Sequence, residues 1–595
     1  MAENSVYKLL RLHTASDKFY VQPLDSDSSS TKILEIDRVT QELQLTDNAG
    51  QIPRDSESQE ICGILGIIHL LPGPYLLTIT KRKLVGILNG HEIWQIKDAD
   101  ILPFPKSILH LTEEQTRDNK VFIQMVKAIL QNDGFYFSYT YDLTHTMQRL
   151  HNTSMDFAYI PLFERADPRF VWNHHLLKIL AVQPELSRFV LPIIQGFVSI
   201  KKCSIKQHSF DLTLISRRSC YRAGTRYYMR GIDGEGEVAN YVETEQILSF
   251  QGESSSYVQT RGSIPLFWTQ KPCLKYKPKP LLAPHLDHRK AFQLHLDNQI
   301  VFYGDQVLIN LIDTKGSEKV LGDQLANAVK SSGYSEAQVR YVAFDFHKEC
   351  SKMRWHRLSI LMERIEENIK SFGYFKVDNQ GDMVHLQSGV FRTNCIDCLD
   401  RTNVVQSMIA RRVLERQLRD SKILNEGESL TANDLIEFVF KNVWADNADA
   451  CSVQYSGTGA LKTDFTRFGK RSKWGVMQDG INSAIRYYKN NFSDGFRQDA
   501  IDLFLGNYIV NPGQRVSPFF EKRDWKFLAL PVILLIGISM LLISLLIPST
   551  DFNLQLAYVL FWGVSCLVTL YFVIAFGKEF VDQPRLTQKM KEIVT

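Results

Sequence analysis

The chain has 595 residues, and its 69 Lys and Arg against 65 Asp and Glu give a formal net charge of +4. A chain of this length does not fold around a single core, so we expect two or more domains. The small net charge gives no indication of a nucleic acid partner, and we expect none. Its nine cysteines are an odd number without paired spacing, unlike the disulfide framework of a secreted protein. We therefore expect most of the chain in the reducing cytosol.

The first 185 residues are rich in short β-like runs separated by turn residues. Examples are residues 63–71, 75–88 and 135–143. Runs of this kind, bounded by turn residues, are typical of strands. We therefore predict a mostly β N-terminal domain over residues 1–185 that packs on the domain after it.

Strand-like runs alternate with helical ones from about residue 186 to 505, which predicts an α/β domain. The runs that we interpret as strands are 211–218, 299–312 and 339–347. The runs with apolar residues at helical spacing are 357–372 and the segment after Thr402. We predict that this second domain, 186–505, carries the chemistry.

The stretch FRTNCIDCLDRTN, residues 391–403, joins a nucleophile to a guanidinium at a spacing that suits phosphate. Five residues separate Cys395 from Arg401. A loop of that length wraps a phosphate with inward N–H groups, a thiolate at its base and an arginine that holds two oxygens. Residues 389–391 are β-like, and a helix is predicted to begin near Thr402. Its positive dipole end would lower the pKa of Cys395.

The spacing alone is weak evidence, because Cys220 and Arg226 share it. That second pair lies in an alternating, β-like context without a following helix, and we interpret it as a coincidence. Cys395 also forms a CxxC with Cys398, which is compatible with zinc or redox chemistry. No second CxxC or histidine pair lies nearby at zinc spacing. A buried structural thiol is a further alternative for Cys395.

The loop sequence Cys-x-Asp-Cys-x-Asp-Arg-Thr-Asn resembles the signature of the Sac-domain (suppressor of actin) phosphoinositide phosphatases, and the myotubularins have a similar loop. Further stretches that match the family are RRSCYRAGTRYYMRG (217–231), RGSIPLFW (261–268), FDFH (344–347) and YSGTGALKTDFTR (455–467). The resemblance implies a Cys-x5-Arg phosphatase-like catalytic domain. It also implies hydrolysis of phosphatidylinositol 4-phosphate, and of other monophosphorylated phosphoinositides such as the 3-phosphate, through a cysteinyl-phosphate intermediate. No metal or cofactor is expected.

The loop supplies the predicted site residues. Those predicted to be catalytic are Cys395, Arg401, Asp397 and Asp400. Those predicted to contact the substrate are Ile396, Cys398, Leu399, Thr402 and Asn403. A leaving inositol oxygen needs a proton. We favour Asp397 as the donor, because Asp400 neighbours Arg401 and can serve to orient it; Asp345 and His347 of the FDFH stretch are a third option.

Basic residues elsewhere are candidates for a cationic face toward inositol phosphates and anionic lipid. They are Arg217, Arg218, Arg222, Arg226, Arg230, Lys462 and Arg467. For any one of them, a solvated surface charge is the simpler interpretation.

Two uncharged apolar stretches, 527–547 and 556–576, close the chain. Each has about the 20 residues of a membrane-spanning helix, so we predict a two-helix transmembrane anchor after a linker over 506–526. The short connection between the two apolar stretches has no Lys or Arg. The basic residues that flank the two stretches are Lys522, Arg523, Lys526, Lys578, Arg585, Lys589 and Lys591. By the positive-inside rule, the turn 548–555 is lumenal and the tail 577–595 is cytosolic.

The resemblance further implies residence in the membranes of the endoplasmic reticulum and the Golgi apparatus. An anchored enzyme suits a lipid substrate, so the expected partners are a phosphoinositide in the membrane and unidentified proteins of membrane contact sites or trafficking. A fragment that ends near residue 520 is expected to keep activity, because the candidate catalytic residues precede the apolar stretches. Two other functions remain open: a protein tyrosine phosphatase with the same loop chemistry, and a non-catalytic membrane tether that binds phosphoinositides.

Overall fold

The structure, a computed structural model, describes residues 5–24, 32–351, 354–468, 472–513, 516–520, 524–547 and 551–586. The predicted linker, lumenal turn and cytosolic tail therefore lie partly outside the described residues. Four of the flanking basic residues, namely Lys522, Arg523, Lys589 and Lys591, lie wholly outside the described residues.

Strands predominate in the first half of the chain. In chain order they are β1 (Leu10–Thr14), β2 (Lys18–Pro23), β3 (Lys32–Asp37), β4 (Leu43–Asp47), β5 (Glu57–Ile61), β6 (Gly63–Leu70), β7 (Gly73–Leu88), β8 (His91–Pro103), β9 (Phe135–Phe137), β10 (Ile194–Ile205), β11 (His208–Arg218), β12 (Val242–Phe250), β13 (Glu253–Arg261), β14 (Trp268–Thr269), β15 (Leu281–Leu282), β16 (Asp305–Asn310), β17 (Val339–Ala343), β18 (Phe375–Val377), β19 (Met383–His385) and β20 (Gly389–Asn394).

Helices predominate in the second half. In chain order they are α1 (Glu113–Leu130), α2 (Met147–His151), α3 (Leu162–Arg165), α4 (His174–Ala181), α5 (His288–Tyr303), α6 (Lys319–Ser331), α7 (Phe346–Glu349), α8 (Leu358–Phe372), α9 (Asp400–Asp420), α10 (Asp434–Ser456), α11 (Thr463–Phe468), α12 (Lys473–Phe492), α13 (Asp494–Leu505), α14 (Trp525–Leu546) and α15 (Phe552–Ala575). Short 3-10 helices are Met155–Tyr159, Pro184–Phe189, Gly316–Glu318, Trp355–Arg357, Leu430–Ala432 and Gly577–Glu579.

A small sheet and a large one organise the strands. The five-stranded sheet has the order β4-β3-β2-β1-β5. The 13-stranded sheet follows the path β17-β16-β20-β13-β12-β11-β10-β9-β8-β7-β6, and its other two strands branch from this path, with β18 paired to β13 and β19 paired to β18. The β-rich character predicted for the N-terminal region is therefore confirmed. The large sheet continues through β9 and β10, where Tyr136 pairs with Ile194, so it runs on both sides of residue 185.

The parallel end of the large sheet determines where the site forms. β16 runs parallel to β17 and to β20, and Asn310 pairs with both Ala343 and Asn394. The three strands therefore end at the same edge, where loops from neighbouring parallel strands meet. The segments that follow these strands, 311–318, 344–349 and 395–399, converge there. Apolar side chains of β16, β20 and α9, such as Val307, Phe391 and Ile409, form the core beneath this edge.

Two strand predictions were wrong in part. The run 299–312 is a strand only from Asp305, because α5 occupies His288–Tyr303 and ends at Gly304. Gly304 has φ = +76°, and a Cβ there would lie 2.1 Å from the carbonyl oxygen of Ser388, so only glycine fits this reversal. The run 339–347 leaves the sheet after Ala343, because the Asp345 carboxylate accepts the N–H of Lys348 and caps α7.

The two C-terminal apolar stretches form helices. α14 and α15 are each long and apolar enough to cross a membrane. They pack against each other, and most of their residues are exposed; the others are partly exposed, apart from Gly537 and Thr569, which are buried. A buried core helix does not have that exposure, so the helices suggest membrane association.

The residues after α15 return to the globular part of the chain. The carboxylate of Asp499 accepts the N–H groups of Arg585 and Leu586, each at 2.9 Å. Leu586 is buried among residues of α1, α13 and the N-terminal strands. At Gly577, a Cβ would lie 2.2 Å from the carbonyl oxygen of Cys273. The tail segment 577–586 is therefore part of the folded structure.

Candidate active site

The predicted loop lies between a buried strand and a helix, as expected. β20 ends at Asn394, and α9 begins at Asp400, two residues before the predicted start at Thr402. The first N–H groups of a helix have no intrahelical partner, and the positive end of its dipole favours an anion. The Cys395 loop therefore has the strand and helix that phosphate binding requires.

The thiol of Cys395 lies at the base of the loop, 2% exposed. The N–H of Cys398 lies 2.9 Å from its Sγ, and the Thr402 hydroxyl lies 3.6 Å from the same atom. Hydrogen bonding from Cys398, aided by the positive charge of Arg401, outweighs burial and lowers the pKa of Cys395 to about 7. The site therefore favours the thiolate form of Cys395, which is the nucleophilic form.

Cys398 has a different environment from Cys395. Its Sγ lies 2.8 Å from the carbonyl oxygen of Gly262, and burial raises the pKa of this thiol well above its usual value. Its φ of +53° is in the left-handed region, which is strained for any residue except glycine. This conformation accompanies the hydrogen bond from its N–H to Cys395. We infer that Cys398 shapes the loop through its backbone.

Asp397 is held as an anion by two arginines. Nε and Nη2 of Arg226 donate to its two oxygens at 2.9 and 2.7 Å, and Nη2 of Arg230 donates at 2.6 Å. Burial raises the pKa of Asp397, but these arginines together outweigh it and bring the pKa well below the usual value. A carboxylate in this state has no proton to donate near neutral pH. The geometry therefore does not favour Asp397 over Asp400 as the proton donor.

Asp400 has the opposite character. It lies on the wall of the cleft, where Oδ1 accepts the N–H of Leu461 at 2.9 Å and Oδ2 is 4.0 Å from Nη1 of Arg486. Burial raises the pKa of Asp400 above the usual value. A raised pKa is what a carboxylic acid needs in order to hold a proton near neutral pH.

Arg401 lies in the same cleft as Cys395, but it contacts neighbouring loops. Its Nη1 donates to the carbonyl oxygen of Leu311 at 3.1 Å and lies 3.3 Å from Asp313 and 3.5 Å from Glu318. Its ion pairs are therefore with the loop after β16 and not with Asp400. A phosphate dianion in the cleft would compete with these two carboxylates for the guanidinium.

The predicted substrate-contacting residues divide into two groups. Ile396, Leu399 and Asn403 line the cleft. Thr402 and Cys398 are buried beneath it, at 0% and 1% exposed. Asn403 also has a structural contact, because its side-chain amide donates to the carbonyl oxygen of Trp444 at 3.0 Å.

The cleft has basic walls that the sequence revealed only in part. Its volume is about 270 Å³, and the cationic residues that line it are Arg226, Lys275, Lys277, Arg401, Lys462 and Arg486. Arg226, Arg401 and Lys462 were named from the sequence, and Lys275 and Lys277 had an available signal in the KYKPK run, a dense group of lysines around Tyr276. Arg486 had no such signal, because a lone arginine in the helix α12 forms no pattern that points to the cleft.

Most of the proposed cationic face lies elsewhere, which corrects that expectation. Arg226 and Lys462 line the cleft. Arg217 is fully buried between Glu243 and Glu245, and Arg218 donates to Gln195. The others have internal partners as well: Arg222 donates to backbone carbonyls, Arg230 to Asp397, and Arg467 to Asp446 and Asp449. Their charges stabilise the loops around the site.

The FDFH stretch contributes two residues to the cleft, Phe346 and His347. His347 lines it, and its Nδ1 lies 2.8 Å from Asp313, which also contacts Arg401. Asp345 caps α7 and accepts the hydroxyl of Thr314, and hydrogen bonds from Thr314 and Lys348 outweigh burial to lower the pKa of Asp345. Asp345 is thus bound in local structure outside the cleft lining.

The second Cys-x5-Arg match does not form a phosphate loop. Residues 219–231 form turns, not the β-like segment we expected, and no helix follows Arg226. Burial raises the pKa of Cys220 to about 12. Arg226 instead lies beside the first loop through Asp397. The interpretation of this match as a coincidence is confirmed.

Comparisons with known proteins agree with this geometry. A SacI homology domain matches residues 62–351. Phosphatidylinositol-3-phosphatase SAC1-B of Danio rerio is 53% identical over 587 residues, which are 99% of each chain. Phosphatidylinositol-3-phosphatase SAC1 of Drosophila melanogaster is 46% identical over 591 residues, 98% of each chain. The protein of the same name from Saccharomyces cerevisiae is 37% identical over 557 residues, 90% of this chain and 87% of its own.

The similarity covers the cleft, the sheet beneath it and the C-terminal apolar helices. Because these relatives are 37% to 53% identical to the chain over most of their length, the chain belongs to the Sac-domain family.

Proposed function

We propose that the protein is a phosphoinositide phosphatase. Its substrates in this proposal are phosphatidylinositol 4-phosphate and other monophosphorylated phosphoinositides such as the 3-phosphate, and its lipid product is phosphatidylinositol. The observation that carries the proposal is the buried Cys395 thiol, with a pKa of about 7, at the base of a cleft with basic walls. The names of the similar proteins support the substrate class at the 3-phosphate, and the resemblance of the loop adds the 4-phosphate.

In the first step, the Cys395 thiolate attacks phosphorus, so that an S–P bond forms as the P–O bond to inositol breaks. Asp400 donates its proton to the leaving inositol oxygen, because its pKa is raised. The guanidinium of Arg401 turns from Asp313 and Glu318 to the equatorial phosphate oxygens and stabilises the charge of the transition state.

In the second step, water attacks the phosphocysteine and the S–P bond breaks. The Asp400 carboxylate accepts a proton from this water and is thereby restored to its acid form. A lone pair of the water oxygen forms the new P–O bond, the electron pair of the S–P bond returns to sulfur as the Cys395 thiolate, and inorganic phosphate is released. Asp397 stays ionised throughout and holds Arg226 and Arg230 against the loop.

The basic walls and the apolar helices support a lipid headgroup in a membrane as substrate. Lys275, Lys277, Lys462 and Arg486 add positive charge around the loop, which suits an inositol phosphate. The enzyme in this proposal is anchored by α14 and α15 in the membranes of the endoplasmic reticulum and the Golgi apparatus. Its catalytic part then faces the cytosol, where Cys395 stays reduced.

The test is phosphate release by the full-length chain in proteoliposomes, with each monophosphorylated phosphoinositide and a phosphotyrosine peptide offered separately. We expect release from the 4-phosphate and 3-phosphate lipids, and none by Cys395→Ser, because a hydroxyl does not ionise at neutral pH. Cys220→Ser is the matched control. It makes the same substitution at a cysteine that precedes an arginine, Arg226, by the same number of residues. Release from the peptide alone, or from neither, would refute the proposal.

A further inference from the structure

Helix α12 exposes a continuous apolar stripe to solvent. It consists of Trp474, Met477, Ile481, Ile485, Tyr488 and Phe492, which are 41% to 69% exposed. Their spacings of three or four residues place them on one side of the helix. Over about 20 residues such a stripe is about 30 Å long. Exposed apolar surface of this extent marks an interaction site.

The opposite side of α12 belongs to the active-site cleft. Arg486 and Asn490 are buried there and line the cleft. Nε of Arg486 donates to the Thr458 hydroxyl at 2.9 Å. The helix therefore forms a wall of the cleft with its polar side and presents the stripe outward. None of the described residues buries this outward side.

The C-terminal end of α12 is bonded to the segment that leaves the membrane. The N–H of Asp582 donates to the carbonyl oxygen of Asn491 at 2.7 Å. Leu274 is hydrogen bonded to both Tyr487 and Asn491, and it lies beside Gly577, two residues beyond the end of α15. The end of the apolar stripe is thus joined by direct contacts to the end of an apolar helix long enough to cross a membrane.

The charge near this junction suits an anionic lipid surface. Lys275 and Lys277 follow Leu274 directly and line the cleft beside α12. Basic residues next to a membrane are attracted by the anionic lipids of its cytosolic leaflet. An apolar helix face bearing Trp, Tyr, Phe and Ile, with lysines beside it, is typical of a helix that lies in the plane of the interface.

We propose that the stripe of α12 docks into the cytosolic leaflet of the membrane that holds α14 and α15. The helix then lies in the interface, with its apolar side among the upper acyl chains and its polar side toward the cleft. The docked helix holds the cleft next to the headgroups of its own membrane. The docking stands by itself, whereas its effect on catalysis rests on the proposed function.

Docking is tested by fluorescence quenching, which does not depend on activity. The full-length chain is placed in vesicles of phosphatidylcholine and phosphatidylserine, with or without bromine on the upper acyl carbons. The fluorescence of the Trp474→Phe variant is subtracted from that of the wild type, and the difference is the signal of Trp474 without the other tryptophans. We expect brominated lipid to quench this difference signal. An unquenched Trp474 would overturn the proposal, including the case in which a second copy or another protein covers the stripe.

The effect on catalysis is tested with two triple variants. Trp474→Ser, Ile481→Ser and Tyr488→Ser together replace every second residue of the stripe, and none of the three lines the cleft. The control changes three exposed apolar residues on other helices, Val301→Ser, Val320→Ser and Leu435→Ser, which are 79%, 58% and 60% exposed.

We expect the stripe variant to hydrolyse phosphoinositide in the vesicles about tenfold more slowly, because it loses apolar contact with the bilayer. Its rate on a water-soluble, short-chain phosphoinositide should equal that of the wild type, and the control variant should match the wild type on both. Equal rates on vesicle lipid for all three proteins would overturn the proposal. Absence of hydrolysis of either substrate by the wild type would instead refute the proposed function and leave the quenching result to decide docking.

Discussion

Replacement of Asp397 by Asn separates a structural carboxylate from a catalytic one. In the folded protein Asp397 accepts three hydrogen bonds of 2.6 to 2.9 Å from Arg226 and Arg230. An Asn side chain has one oxygen and no charge, so it leaves two guanidinium groups without an anion. The side chain of Arg230 is 2% exposed and those of Asp397 and Arg226 are 19% and 18% exposed, so solvent offsets the loss only in part.

Removal of one partner from a buried ion pair costs about 3–5 kcal/mol, and partial exposure reduces this to about 2–4 kcal/mol here. The entropy of unfolding is about 2 cal/mol/K per residue, or about 1 kcal/mol/K for a cooperative unit of about 500 residues. We therefore expect the thermal midpoint of Asp397→Asn to fall by about 2–4 °C. The assay is intrinsic fluorescence of the full-length chain in detergent micelles during heating.

The pH dependence of this loss follows from the pKa. The pKa of Asp397 is lower in the folded chain than in the unfolded chain. Its contribution to stability is therefore fully present above about pH 4, the unfolded value, and is lost as the pH falls toward the folded pKa. The difference in midpoint between wild type and variant should stay constant from pH 5 to pH 8.

The control is Glu60→Gln, which breaks an exposed ion pair with Arg11 whose side chains are 58% and 42% exposed. It should leave the midpoint unchanged, because exposed pairs contribute about 0–1 kcal/mol. A midpoint for Asp397→Asn within the scatter of Glu60→Gln would refute the structural role of this carboxylate. The pH–rate profile gives a second check. The rate is expected to fall as the proton donor ionises, so an Asp397→Asn enzyme that lacks this fall would identify Asp397 as the donor and refute its purely structural role.

Asp400→Asn should lower the rate by about 10²–10⁴-fold, because the leaving oxygen then lacks its proton donor. The wild-type rate should fall with rising pH as Asp400 loses its proton, and the variant should lack this fall but keep the rise that accompanies ionisation of Cys395. A variant that retains the fall would exclude this donor. Arg401→Lys should cost about 10²–10³-fold, because an ammonium does not reproduce the two-point contact, and a near-normal rate would contradict the phosphate-holding role. Activity in proteoliposomes should persist in excess EDTA, with loss on chelation and recovery with Mg²⁺ or Zn²⁺ as the contrary result. A fragment that ends at residue 520 should still hydrolyse short-chain substrate. It should unfold at a lower temperature than the full chain, because it lacks the contacts of Arg585 and Leu586 with Asp499. An unchanged midpoint of unfolding would show that the tail does not stabilise the fold.

Local sequence was sufficient for the strand, loop and helix around Cys395. Val390 and Phe391 before the loop and the apolar residues after Thr402 follow patterns with short periods, and those patterns predict the first residues of β20 and of α9 within two positions. The apolar stretches at 527–547 and 556–576 were equally readable, because length and lack of charge alone predict α14 and α15. Similarity to Sac-domain proteins was readable for the same reason, since the motif residues are adjacent in the chain.

The ionisation of the two loop aspartates was decided only by tertiary structure. Asp397 and Asp400 lie three positions apart, and the sequence favoured Asp397 as the proton donor only because Asp400 is next to Arg401. Arg226 and Arg230, about 170 residues away, reach Asp397 and keep it charged, whereas Asp400 is half-buried on the cleft wall beside Leu461, where desolvation raises its pKa. A pKa depends on the charges and solvent around a group in space, and the sequence does not state which distant residues supply them.

The walls of the cleft and the path of the tail were hidden for the same reason. Arg486 and Lys275 line the cleft at the edge where three parallel strands end, but neither residue belongs to those strands, and no local pattern encodes that placement. Composition and periodicity by themselves thus determined which segments are strands, helices and apolar anchors, since those depend on neighbours in the chain. Which charged group faces which, and that residues 577–586 pack against α13, depended on contacts between segments far apart, which exist only once the chain has folded.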